Sequence, residues 1–286
     1  MGILKTYTRK AAIWAARSIP APVKKWIHRR RSLDGASRRI FGSMVSGEPV
    51  AIKEGPMAGL LLVPSDHVSH AHLRGVYEEA ILQAIDRLVK PGMVCYDLGA
   101  SIGYLSLLMA RKAKRVYAFE PAPHANQEIR KHAGANRMEN ITIVPEAVSD
   151  YEGEATFGLT DVAYGSGIVE GETRWPTITV KVTTLDAFAQ AHEPPAFIKI
   201  DVEGAEGCVL AGAPNLLSRT RPVLCCELHS QEAAHRVQKI LADHGYTIST
   251  LEGRPFVIDD WIQPGEIHVI CQPQPLSSLS SVPPAA

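Results

Sequence analysis

The segment from Met93 to Ala110 constrains this chain most. An apolar run, Met93-Val94-Cys95-Tyr96, meets the short loop Asp97-Leu98-Gly99-Ala100-Ser101-Ile102-Gly103, and a helix opens at Tyr104-Leu105-Ser106-Leu107-Leu108-Met109-Ala110. Strand, glycine loop and helix in direct succession let backbone approach a nucleotide closely. Gly99 and Gly103 make that approach possible, because a residue without Cβ adopts positive φ and leaves space that a side chain would fill. The same alternation continues along the chain. Strands are expected at 93–97, 115–120, 141–145, 196–201, 223–228 and 266–271, and helices at 77–89, 103–112, 123–136 and 231–244, with a shorter one near 205–217. This pattern is α/β: a doubly wound, mostly parallel, Rossmann-like sheet, with the last strand, after Gly265, expected to run antiparallel. Ligands of such sheets bind beyond the carboxyl ends of the strands, near the switch in strand order.

Residues 76–271 therefore form the main domain, and residues 152–184 interrupt it as a glycine-rich insertion expected to face substrate. A small irregular or β-rich lead-in is expected at 34–75, and the Pro- and Ser-rich tail 272–286 is expected to be disordered. Formal net charge is zero, yet the first 33 residues hold nine Lys or Arg and no acid, leaving nine more acids than bases in the rest. Ile3, Tyr7, Ala11 and Trp14 share one helical face with basic residues on the others, so residues 1–20 read as a basic amphipathic helix that either contacts an anionic membrane surface peripherally or docks on the body. Five cysteines, an odd number without a C-x-x-C pair, read as reduced core residues. No apolar stretch approaches the roughly 20 residues that cross a bilayer. The expectation is a cytoplasmic protein, peripheral to the membrane at most. Its acidic body, without a basic and aromatic platform, argues against nucleic acid as a partner.

The loop also discriminates among cofactors. It lacks the Gly-Lys-Ser/Thr ending of an ATPase phosphate loop and offers G-x-x-x-G rather than the dinucleotide G-x-G-x-x-G. Asp97 at its head would repel a pyrophosphate and attract the ammonium and sulfonium of S-adenosylmethionine; a helix or turn cap is its alternative role. The next strand ends in Glu120, followed by Pro121, and a carboxylate there can accept two hydrogen bonds from a ribose diol, although dinucleotide folds place an acid similarly. At the end of the third strand, Glu146 could accept from an adenine amino group while the Ala147 amide donates, or Glu146 is a surface acid. The expected cofactor-binding set is thus Asp97, Gly99, Ala100, Ser101, Gly103, Glu120, Pro121, Glu146 and Ala147, joined by Asp201.

Two further strands deliver polar groups to the same edge. Phe197-Ile198-Lys199-Ile200 leads to Asp201 and Glu203, and the strand at 223–228 leads to Glu227 and His229, giving four groups on one rim. His229 has the ordinary pKa of a general base, with Asp201 orienting it or serving instead and Glu227 completing the catalytic candidates; the alternative is that Glu227 and His229 are structural partners. Glu206, in the first turn of the next helix, is expected to serve the helix more than the chemistry. Oxygen donors of this kind also suit Mg²⁺, but no metal is expected.

The segments YDLGASIGYLSLLMA, VYAFEPAP, AVSDYEGEATF, TLDAF and above all FIKIDVEGAEGCVLAGA resemble the FkbM-type family of class I methyltransferases, from about Arg74 to about His229. Gly75-Val76-Tyr77-Glu78 resembles the way that family leads into its domain, and the resemblance adds Glu78 to the cofactor-binding set. It implies S-adenosylmethionine as cofactor and methyl transfer to oxygen, commonly a hydroxyl of a sugar, glycan or secondary metabolite, without identifying the acceptor. The competing reading is an NAD-dependent oxidoreductase, which keeps the fold and Glu120 but conflicts with Asp97. The sequence does not indicate an oligomeric state.

Overall fold

A computed structural model describes residues 47–160, 166–169, 171, 173–258, 261 and 266–275. The basic arm 1–33, and with it the expected membrane contact, lies outside the described residues, as do positions 34–46 of the lead-in and 276–286 of the tail. A small antiparallel pair, β1 (Val50–Ala51) and β2 (Leu61–Leu62), precedes the helices α1 (His70–Arg74) and α2 (Glu79–Leu88). The main run follows as β3 (Val94–Leu98), α3 (Tyr104–Ala110), β4 (Arg115–Phe119), α4 (Pro123–Ala135) and β5 (Ile141–Val144). Next come β6 (Glu146–Val148), β7 (Gly153–Gly158), β8 (Gly167–Ile168), β9 (Thr177–Thr183) and α5 (Leu185–Ala191). The chain closes with β10 (Phe197–Ile200), α6 (Glu206–Ala211), a π-helical turn at Leu216–Thr220, β11 (Val223–Leu228), α7 (Gln231–Asp243), β12 (Tyr246–Thr250) and β13 (Ile267–Pro273).

Seven strands form one sheet in the order β12-β13-β11-β10-β3-β4-β5. All neighbours from β11 to β5 are parallel, and β13 runs antiparallel between β11 and β12. The α/β fold expected from the alternation is the fold observed, including the reversed last strand. That strand runs on through Gln272 and Pro273, so the tail begins later than expected. From β3 the chain winds outward through β4 to β5, then crosses back to place β10 on the other side of β3. The switch in strand order therefore lies between β3 and β10, and the crevice above their carboxyl ends is where such sheets take ligands.

The sheet is covered on both faces, which is why its central strands are apolar runs rather than alternating, interrupted by Asp97 in β3, Lys199 in β10 and Glu227 in β11. Tyr96, Leu98, Ile198, Ile200, Leu224 and Cys226 pack into one buried cluster, while Cys95, Phe197 and Cys225 pack with Leu107, Leu108 and Met109 of α3 on the other face. Each such side chain contributes roughly 1.5–3 kcal/mol of transfer free energy. All five cysteines are unpaired, and only Cys208 is not buried. Among the described residues no helix is long and apolar enough to cross a membrane.

The insertion supplies three strands of a second, four-stranded sheet, β6-β9-β7-β8, and β6 precedes it. Its cover is a small apolar cluster of Ala122, Ala125, Ala147, Phe157, Val180 and Val182. Besides β6, three elements, α1, α5 and β12, were not expected. Two are short helices set by local caps, the Ser69 hydroxyl accepting from the His72 amide and the Thr184 hydroxyl from the Ala187 amide. The third is a partly exposed edge strand whose alternating Thr and Ser give little apolar signal.

Candidate active site

The loop after β3 is built by folding its backbone over β4. The Gly99 and Ala100 amides both donate to the Phe119 carbonyl, at 3.1 and 3.0 Å, and Gly103 enters α3 with φ +79°. Gly99, at φ +72°, faces the backbone of Asp201 so closely that a Cβ there would lie 1.9 Å from the Asp201 carbonyl oxygen. Glycine is thus required because β3 and β10 converge at this point. Three non-glycine residues with positive φ surround the same crevice: Ser101 (+50°), Glu203 (+54°) and Glu78 (+48°). Conformations of this kind cost of order 1–3 kcal/mol each and collect at functional sites.

Glu120 is buried at the end of β4. Its two carboxylate oxygens each accept one backbone amide, from Ser101 and from Ala122, both at 2.8 Å. Burial pushes its pKa up to about 7, against the pull of those two amides. The carboxylate is therefore oriented before any ligand arrives, with lone pairs to spare. Glu146 opens β6, half-buried, beside the buried Ala147, and Pro121 lies directly after Glu120.

Asp97 is fully buried inside β3. One oxygen accepts from the Ser106 hydroxyl, while the other, Oδ1, has no hydrogen-bond partner and lies 3.6 Å from the Lys199 ammonium. Lys199 was not singled out from the sequence, although a lysine within a central strand of a parallel sheet is itself a signal. It is 3% exposed and donates to the carbonyls of Gly99 (2.8 Å) and Leu98 (3.2 Å), with Asp201 Oδ2 at 3.2 Å. Burial pulls its pKa down, but Asp201 and Asp97 more than offset this and keep it a cation.

The rim beyond β10 and β11 holds the remaining groups. His229 Nδ1 is 2.7 Å from Oε1 of the buried Glu206, and its Nε2 faces Asp201 Oδ1 at 3.6 Å and Glu203 Oε2 at 3.7 Å. Burial opposes the charge on the ring, but Glu206 and then Asp201 outweigh it and raise the pKa to about 9. This corrects the expectation of a free imidazole base near neutral pH: the surrounding carboxylates hold the proton on. Glu206 serves the start of its helix, where Oε1 accepts from the Gly204 amide at 2.8 Å, and through the same oxygen it also holds His229. Asp201 titrates above its usual range because burial and the Glu227 charge outweigh Lys199 and His229.

Glu227 faces a residue the sequence did not suggest. His268 lies directly opposite it in the antiparallel pairing of β11 with β13, with Nε2 3.1 Å from Glu227 Oε2. Burial pushes Glu227 up, but His268 more than compensates and holds it below the usual carboxylate range. Burial raises the pKa of Glu78, and the charges of Glu227 and Asp201 act in the same direction against His268. Ligand atoms of Asp201, Glu227 and His229 all lie within 4.8 Å of one another. The insertion reaches the rim as well, since a Cβ on Gly167 would stand 3.9 Å from Glu203 Cβ.

Comparison with known proteins bears on this arrangement. Over 93 residues the chain is 36% identical to an uncharacterised protein of Methanocaldococcus jannaschii, a stretch amounting to 32% of this chain and 35% of that protein, so the match spans about a third of the relative. Similar solved structures include the methyltransferase FkbM of Methylobacillus flagellatus, at 19% identity and TM-score 0.44 over 71% of this chain and 53% of that one. Another is the precorrin-6y C5,15-methyltransferase of Geobacter metallireducens, at 13% identity and TM-score 0.43 over 68% and 87%. The model of the methyltransferase FkbM domain matches residues 97–248, just over half of the chain and the stretch that carries Asp97, Glu120, Lys199, Asp201, Glu206, Glu227 and His229. With that match, the chain belongs to the FkbM methyltransferase domain family.

Proposed function

We propose that this protein transfers a methyl group from S-adenosylmethionine to a hydroxyl oxygen of a sugar, glycan or secondary metabolite. The observation that carries the reading is the sharing of one sheet edge by the β3 loop, Glu120 and the Asp201–Glu227–His229 rim. The residues fit the cofactor. Glu120 offers an oriented carboxylate for a ribose diol, and the unpartnered oxygen of Asp97 gives the loop a negative pole suited to a cationic amino acid end. The bound cofactor supplies a methyl group on a sulfonium.

The remaining chemistry falls to the rim. Methyl transfer to an alcohol is an in-line displacement that needs the hydroxyl aligned and its proton removed during or after attack. Asp201 is placed to accept a hydrogen bond from that hydroxyl, and His229, held by Glu206, turns Nε2 to the same side. His229 serves as base in the fraction that has lost its proton, a loss favoured when another cation enters the site. Glu227, His268 and Glu78 alternate acceptors with a donor along the rim, which suits an acceptor bearing several hydroxyls. Glu78 and His268 both lie outside the residues that the family model matches.

The test has two stages. S-adenosylhomocysteine is expected to raise the melting temperature and NAD to leave it unchanged, since a ligand of the native state stabilises by mass action. Mass spectrometry of cell extracts incubated with enzyme and S-adenosylmethionine should then reveal a species heavier by one CH2, absent with His229→Ala. Stabilisation by NAD alone would refute the reading.

A further inference from the structure

We propose that Lys199 is a positioning residue whose buried ammonium both ties the β3 loop to β10 and sets how far the site prefers the cationic methyl donor over its neutral demethylated product. The inference rests on the methyl-donor reading above. Four contacts carry it. The ammonium donates to the carbonyls of Leu98, at the end of β3, and Gly99, in the loop, and lies 3.2 Å from Asp201 Oδ2 and 3.6 Å from Asp97 Oδ1. It therefore spans the point where the strand order switches, with the β3 carboxylate of Asp97 on one side and the rim carboxylate of Asp201 on the other.

The charge balance follows from these contacts. Asp97 is fully buried and its Oδ1 accepts no hydrogen bond, so Lys199 is its nearby counter-charge among the described residues. Asp97, Asp201 and Lys199 together leave one net negative charge beneath the loop. S-adenosylmethionine carries one more positive charge than S-adenosylhomocysteine, located on sulfur. The two share every other polar group, so loosening of the loop weakens both alike, whereas a change of charge below it acts on their ratio. A unit charge about 7 Å away changes an affinity about threefold even at the dielectric of bulk water, and more in a buried site.

The test is isothermal titration of each ligand separately into wild type, Lys199→Met, Asp97→Asn and the double variant. Lys199→Met is expected to increase the preference for S-adenosylmethionine over S-adenosylhomocysteine at least threefold, while both affinities fall through disorder of the loop. Asp97→Asn is expected to shift the preference the other way by a similar factor. The double variant restores the net charge and should return the ratio to the wild-type value, even if both affinities remain weak. An unchanged ratio in Lys199→Met, or affinities that fall in equal proportion, would overturn the charge role. Should Lys199→Met not fold, Asp97→Asn alone decides, and an unchanged ratio there overturns it equally. If folded wild type binds neither ligand, the methyl-donor reading itself falls, an outcome separate from these.

Discussion

Lowering the pH from 8 to 6 is expected to cost the protein about tenfold in affinity for S-adenosylhomocysteine, through Glu120. This carboxyl is 6% exposed, and each of its oxygens already accepts one backbone amide. Burial raises its pKa from 4.5 to about 7. A ribose diol donates to a carboxylate and finds fewer acceptors on the protonated acid. With a midpoint near 7 the group is about nine-tenths ionised at pH 8 and about one-tenth ionised at pH 6, which gives the tenfold change, or about 1.4 kcal/mol. The sign for the free protein is opposite: a carboxyl with a raised folded-state pKa makes folding less favourable as pH rises from about 4.5 through 7. Isothermal titration at the two pH values, at constant ionic strength, measures the affinity. Glu120→Gln is the control; it should bind more weakly at pH 8, by about 1–3 kcal/mol for the lost charged hydrogen bonds, and lose the pH slope. Equal wild-type affinity at both pH values, or a slope that survives in Glu120→Gln, would refute the reasoning.

Two further outcomes follow from the site. The imidazolium of His229 stabilises the fold fully below its ordinary 6.5, and that contribution is lost as pH rises through about 9, so the melting temperature of wild type should fall across this window more steeply than that of His229→Ala. The difference is on the order of 3 kcal/mol or less, read by thermal denaturation at both ends of the window, and parallel curves would remove the raised pKa. Gly99→Ala places a Cβ 1.9 Å from the Asp201 carbonyl at a positive φ, so it should either fail to fold or lose more than about 3 kcal/mol in chemical denaturation; a variant of wild-type stability would contradict the convergence of β3 and β10.

The sequence by itself determined the α/β class, the parallel order of winding and the positions of Asp97, Gly99, Glu120, Asp201 and His229 at strand ends. These are local facts, because hydrophobic runs, glycines and the residue that follows each run all lie within a few positions of one another. Only the tertiary structure decided what those residues do to each other. That Lys199 pairs with Asp97 depends on β10 lying beside β3, a neighbour about a hundred residues away in the chain. That His268 meets Glu227 depends on the register of an antiparallel strand, where a slip of one residue would turn it to the opposite face. His229 shows the same division. Its identity suggested a neutral base, but its pKa is set by burial, which lowers it, against Glu206, Asp201 and Glu227, carboxylates that the fold brings together and that sequence spacing does not measure.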